Sequence, residues 1–286
     1  MRKNQTSMTA IGIAIVRGIE SEKPRDVRLF HDPYARKFVN GALYNLVSIF
    51  DKMGYGEWKG PGVMGFLAVR ERHIDEFLMG QLRAGIQQVV ILGAGLDARA
   101  YRFEELKKIR VFEVDHPASQ ASKVEKVRQV FGELPAHVTY IPIDFNIQTL
   151  EKRLPESGYD KSLQTLFIWQ GVTQYLTPEA VDSTLAFITH YSPAGSSVIF
   201  DYMYTALLDG TIRHGEVEKM RRNRWTANEE MVFGITEGAV TAFLEQRGFT
   251  GVKDASHKFL HDTYFHGANA NRTVAYGYAI ASAVVK

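Results

Sequence analysis

An apolar run breaks on a glycine turn at Val89-Val90-Ile91-Leu92-Gly93-Ala94-Gly95-Leu96-Asp97-Ala98-Arg99. About 20 residues on, a second run, Val111-Phe112-Glu113-Val114-Asp115, ends on an acid. Strand, tight turn, helix and a second strand closed by a carboxylate make the mononucleotide-binding unit of an open α/β sheet. The glycines let the main chain come close to a ligand, and the carboxylate accepts from ribose hydroxyls. The pair predicts an adenosine-type cofactor and leaves two candidates, a nicotinamide dinucleotide and S-adenosylmethionine.

The apolar pattern changes on either side of residue 86. Upstream, Phe66, Leu67, Val69, Ile74, Phe77, Leu78 and Leu82 recur at helical spacing, with Arg70, Glu71, Arg72, Asp75 and Glu76 between them. A loop rich in glycine (Gly54, Gly56, Gly60, Gly62, Gly65) precedes this helix. Downstream, strands are expected at 89–93, 110–114, 138–143, 164–170 and 196–202, with a last one over 273–283. Their apolar residues are continuous rather than alternating, which predicts a parallel sheet covered on both faces. Thr177-Pro178-Glu179 marks a helix start, and a helix over 236–247 should stop at Gly248. The expected organisation is an N-terminal helical cap over 1–85 and an α/β domain over 86–286. A polar insert at about 203–235 carries Arg213, His214, Arg221, Arg222, Arg224 and Trp225, where acceptor specificity is expected.

Composition narrows the function classes. With no cysteine, a disulfide scaffold, a thiolate metal site and a cysteine nucleophile are excluded. A formal net charge of +2 gives no reason to expect nucleic acid or an anionic membrane as partner. The apolar stretch Met8 to Val16 reads as a buried helix rather than an export signal. It is short, holds Thr9 and Gly12, and runs on into Arg17, Glu20, Glu22 and Lys23. No run approaches the ~20 apolar residues of a membrane span. A cytoplasmic location is expected.

Three observations favour S-adenosylmethionine. The glycine turn comes only after a long helical segment. No Tyr-x-x-x-Lys follows it, so a short-chain dehydrogenase pair is missing. A third acid, Asp144, follows the third strand in Ile141-Pro142-Ile143-Asp144-Phe145, where it can accept from an adenine amino group while Phe145 lies against the ring. The other reading of Asp144 is a helix N-cap before Asn146-Ile147, and the two are compatible.

Several stretches together resemble the leucine carboxyl methyltransferase family. They are Leu92 through Arg102, Phe112-Glu113-Val114-Asp115-His116-Pro117, and Gly171-Val172-Thr173-Gln174-Tyr175-Leu176-Thr177-Pro178-Glu179. Thr9-Ala10, Arg17-Gly18-Ile19-Glu20 and Asp32-Pro33-Tyr34-Ala35 resemble that family's N-terminal cap, so the likeness extends over about 9–202. The resemblance implies a doubly wound, mostly parallel seven-stranded Rossmann-like methyltransferase sheet with S-adenosyl-L-methionine as cofactor. By position it implies that Arg70 pairs with the methionine carboxylate and that Gly93, Ala94 and Gly95 form the cofactor loop. It likewise gives the ribose to Asp115 and the adenine to Asp144, beside which Phe145 is the candidate for the ring face. Gln170 stands where the family often has a glutamate that helps hold the methionine ammonium. Its neutral carbonyl oxygen is a weaker acceptor for a cation, so the departure predicts lower cofactor affinity.

The expected chemistry is transfer of a methyl group to an oxygen of a small molecule or peptide, most simply a carboxylate. A carboxylate with a pKa of about 4 is ionised at neutral pH and needs no general base. A phenol or alcohol acceptor would need one. His73, His116, His214, His261 and His266 are available without any standing out, and Tyr175 is a candidate for lining the transfer cavity. His261 and His266 lack the i, i+4 spacing of a zinc pair, so no metal is expected. A nicotinamide oxidoreductase and a non-catalytic cofactor-binding protein are the competing classes.

Overall fold

The continuous apolar runs are strands covered on both sides. The computed structural model describes residues 8–144, 148–212, 215, 218 and 231–286. The runs form β1 (Gln88–Leu92), β2 (Arg110–Asp115), β3 (Val138–Pro142), β4 (Thr165–Trp169) and β5 (Ser197–Met203). Every residue of β1, β4 and β5 is buried. Alternate residues feed two cores: Val89, Ile91, Val111, Ile168 and Ile199 face one, Val90, Leu92, Phe112, Phe167 and Phe200 the other. Deleting such a side chain to alanine costs about 2–5 kcal/mol, so the pattern holds each strand's register as well as its stability.

The five strands pair in parallel, and β7 (Tyr278–Val285) and β6 (Phe249–Ser256) extend the sheet antiparallel beside β5. The order is β3-β2-β1-β4-β5-β7-β6. From β1 the chain winds first toward β2 and β3 and then toward β4 and β5. That reversal opens a crevice at the carboxyl ends of β1 and β4, the usual ligand position in such sheets.

Ahead of the sheet come α1 (Met8–Glu22), α2 (Gly41–Lys52), α3 (Tyr55–Lys59) and α4 (Val63–Arg83). Within the sheet run α5 (Arg99–Arg102), α6 (Pro117–Phe131), α7 (Leu150–Glu156), α8 (Pro178–His190) and α9 (Thr205–Leu208), then α10 (Val240–Glu245) and α11 (His257–Tyr264). α8 begins as its sequence requires, with the Thr177 side chain accepting from Ala180 N–H and Pro178 at the first turn. Among the described residues no helix is long and apolar enough to cross a membrane.

Three elements differ from expectation. The last strand starts at Tyr278, because residues 273–275 face the glycine-rich loop instead of a strand. Ala275 N–H donates to Gly62 O, and a Cβ on Gly65 would overlap Thr273 O. β6 carries no apolar signal, since it is a polar edge strand with a register shift between Thr250 and Lys253. The helix over 236–247 is shortened to α10, with Gly238 at φ +78° just ahead of it. The glycine-rich loop also folds one short helix, α3. Of the polar insert, Arg213, His214, Arg221, Arg222, Arg224 and Trp225 lie outside the described residues.

Candidate functional site

The crevice is a cleft of about 820 Å³ walled by the turns after β1, β2 and β4 and by α1, α7 and α8. Gly93, Ala94 and Gly95 line it at the end of β1. Ala94 N–H donates to Val114 O, which ties the turn to β2. Gly93 has φ +66°, and a Cβ there would overlap Val172 Cγ2, so only glycine lets the two loops meet.

Asp115 closes β2 and lines the cleft. Its Oδ2 accepts from Gly95 N–H at 2.6 Å and its Oδ1 from His116 N–H at 2.7 Å. Burial pushes its pKa above the ordinary carboxylate value, against the lowering pull of those two N–H groups. Each oxygen keeps a second lone pair for a ligand hydroxyl. His116 lines the cleft as the N-cap of α6, its Nδ1 accepting from Ala118 N–H at 3.3 Å.

Arg70 is 2% exposed on α4 and stands directly behind the turn after β4. Its Nη1 donates to Asp201 Oδ2 at 2.6 Å, and Asp201 Oδ1 accepts from Gly171 N–H at 2.6 Å. Nε and Nη2, the edge of the guanidinium that grips a carboxylate with two parallel bonds, are buried and without partner. Gly171 lines the cleft in front of Arg70, at φ +70°, and a Cβ there would lie 3.4 Å from Nη1 and 3.9 Å from Nη2. Any side chain at 171 would therefore lie in contact with the guanidinium, against the cleft side of Arg70.

Gln170 precedes it and also lines the cleft. Its Nε2 donates to Glu71 Oε1 at 2.5 Å, while its Oε1 is buried and unpartnered. The amide cannot be turned the other way, because its carbonyl would then face a carboxylate. Glu71, 1% exposed, accepts on its other oxygen from Arg99 Nη2 at 2.7 Å. Arg99 also donates to Asp75 Oδ1 at 2.8 Å and to both oxygens of Asp97, a cleft residue. Burial alone would raise Asp97, but Arg99, Arg17 and Lys123 outweigh it and hold the carboxyl well below its usual range.

Of the residues singled out in the sequence, Gly93, Ala94, Gly95, Asp115, Gln170 and Tyr175 all line the cleft, with Arg70 behind Gly171. Asp144, two residues past β3, is not part of the cleft wall; its N–H donates to Gln148 Oε1 at 3.1 Å, and Gln148 does line it. Phe145 lies outside the described residues. Sequence reasoning missed Glu71, Asp97, Asp201 and the α1 residues Thr9, Ala10, Ile13 and Arg17 that form one wall. Asp201 had a readable signal, a lone acid inside the apolar run Val198-Ile199-Phe200-Asp201-Tyr202-Met203. Glu71 had none, since an acid between the apolar positions of a helix looks solvated.

A model of the leucine carboxyl methyltransferase family matches residues 10–189. The chain belongs to this family. A relative from Bacillus subtilis (strain 168), YktD, is 28% identical over 98% of this chain and 99% of its own length. Another from Mycobacterium ulcerans (strain Agy99) is 33% identical over 77% of this chain and 72% of its own. Both are named, provisionally, as S-adenosyl-L-methionine-dependent methyltransferases. A solved DUF574-family protein from Streptomyces avermitilis shares the fold, at a TM-score of 0.57 and 14% identity over 96% of this chain and 97% of that one. Membership in the methyltransferase family sets aside the nicotinamide reading of the glycine turn, and the methyl donor that goes with it is S-adenosyl-L-methionine. Gln170 and Asp115 line the cleft, and the unpartnered Nε and Nη2 of Arg70 lie behind Gly171.

Proposed function

We propose that this protein methylates a carboxylate oxygen of a small molecule or peptide. The methyl-donor half of the reading is carried by the unpartnered pair, Gln170 Oε1 and the Nε/Nη2 edge of Arg70, beside a glycine turn and a strand-end acid; the carboxylate half rests on membership in the leucine carboxyl methyltransferase family. Arg70 would hold the methionine carboxylate, Gln170 the ammonium, and Asp115 the ribose. The helices ahead of residue 86 would act as a cap, with α1 closing one side of the cleft. Asp144 and Phe145 remain proposals for the adenine.

S-adenosyl-L-methionine supplies a methyl group already activated on a sulfonium. The protein's task is then to align the acceptor and to exclude water from its oxygen. The new C–O bond forms as the C–S bond breaks, and the negative charge of the carboxylate cancels the positive charge of the sulfonium. No proton has to move. The cleft wall fits this economy: His116 is its only imidazole among the described residues, and that ring already caps α6. Tyr175 lines the cavity as a positioning surface.

Incubation with isotopically labelled S-adenosyl-L-methionine and a panel of carboxylic acids and C-terminal peptides tests the reading. The expected product releases labelled methanol under mild base, as an ester does. A product that resists base is not an ester and takes the carboxylate out of the reading. Tight cofactor binding with no transfer to any acceptor supports a non-catalytic role.

A further inference from the structure

Gln170 leaves the ammonium end of the cleft with a neutral acceptor, yet a carboxylate sits immediately behind it. We propose that Glu71 is the acid of the ammonium subsite, acting through Gln170 as a positioning residue; this rests on the reading of the cleft as an S-adenosyl-L-methionine site. Glu71 Oε1 takes a Gln170 Nε2 hydrogen at 2.5 Å, and this fixes the orientation of the amide. The free face is Oε1, buried and without a partner. A negative charge bonded to the amide N–H side also polarises the carbonyl on the far side, which strengthens it as an acceptor for a cation. Arg99 holds the other oxygen of Glu71 at 2.7 Å, so the acid itself has one defined orientation.

The same geometry explains why residue 170 is an amide in this chain. A glutamate at 170 would bring a second carboxylate against Glu71 at the present 2.5 Å, with no hydrogen between them unless one acid took up a proton. Exchanging the two residues is different. An amide at position 71 could donate to a carboxylate at position 170 and accept from Arg99 with its carbonyl. Every partner then survives, and the acid moves one residue closer to the cleft. The two positions therefore hold one carboxylate and one amide between them, in either order.

Three variants, E71Q, Q170E and E71Q/Q170E, are compared for binding of S-adenosylhomocysteine and of 5′-methylthioadenosine, which lacks the amino acid end. Thermal unfolding checks that each variant is folded. E71Q is expected to weaken S-adenosylhomocysteine about tenfold while leaving 5′-methylthioadenosine within about twofold. Q170E alone is expected to weaken S-adenosylhomocysteine as well. The double variant is expected to return its affinity to within about threefold of the parent. An equal loss for both ligands in E71Q, no loss at all, or a folded double variant without recovery overturns the proposal. Failure of the parent protein to prefer S-adenosylhomocysteine over 5′-methylthioadenosine would instead overturn the cleft reading on which it rests.

Discussion

At the residue scale the cleft depends on atoms left without partners as much as on those that have them. Buried N–H and C=O groups are almost always paired, and of the unpaired side-chain atoms the free edge of Arg70 and the free oxygen of Gln170 belong to residues at the turn after β4. Asp115 is the complementary case: its bonds to Gly95 and His116 aim its remaining lone pairs at the cleft. Asp115→Ala is expected to weaken S-adenosylhomocysteine at least tenfold by titration calorimetry, since one charge-assisted hydrogen bond contributes about 1.5–3 kcal/mol. An unchanged dissociation constant would take Asp115 out of the site. The strand-end acid and the glycines were legible because their chemistry is local in sequence. Glu71 was not, because its burial comes from Arg99 and Gln170, residues 28 and 99 positions away.

Elements were legible where one rule governed them. β1, β4 and β5 are buried throughout, so apolar runs announced them. β6 mixes exposed residues such as Thr250, Lys253 and Asp254 with a glycine, and its pairing with β7 is a tertiary fact. The stretch 273–275 looks like strand in sequence and instead meets the glycines at 62 and 65, which make room for it. α4 meets α11 through His73, whose Nδ1 lies 3.0 Å from Tyr264 OH, while that hydroxyl donates to Glu76 Oε2 at 2.6 Å. Burial pushes His73 below its ordinary value of 6.5, so the folded protein favours the neutral ring. The unfolded chain protonates first as pH falls, and this contact loses stability from about pH 6.5 downward. His73→Gln should flatten the change in urea midpoint between pH 7 and pH 5; a variant with the parent's full pH dependence would contradict the assignment.

For the whole molecule, the cleft joins parts distant in sequence: α1, the sheet ends and α8. A ligand bound there holds them together and stabilises the fold by mass action. At one hundred times its dissociation constant, S-adenosylhomocysteine should add about 2.7 kcal/mol. For a chain this long that is about 5 °C in Tm, readable by differential scanning fluorimetry. No shift at saturating ligand would mean that the cleft is not its site. The sheet's covered faces were legible in the sequence. The side on which α1 closes the cleft was not, because helical spacing tells which face of a helix is buried and not what it is buried against.

One helix, α4, carries Arg70, Glu71 and Asp75 along its inner side, and through them reaches Asp201, Gln170, Arg99 and Arg102. Removing one member of a buried charged pair costs about 3–5 kcal/mol, because its mate is stranded. Positions 70 and 201 are thus epistatic: a change tolerated in company is ruinous alone. Such a lineage would drift by paired steps, and residues remote in the chain would share a single evolutionary fate.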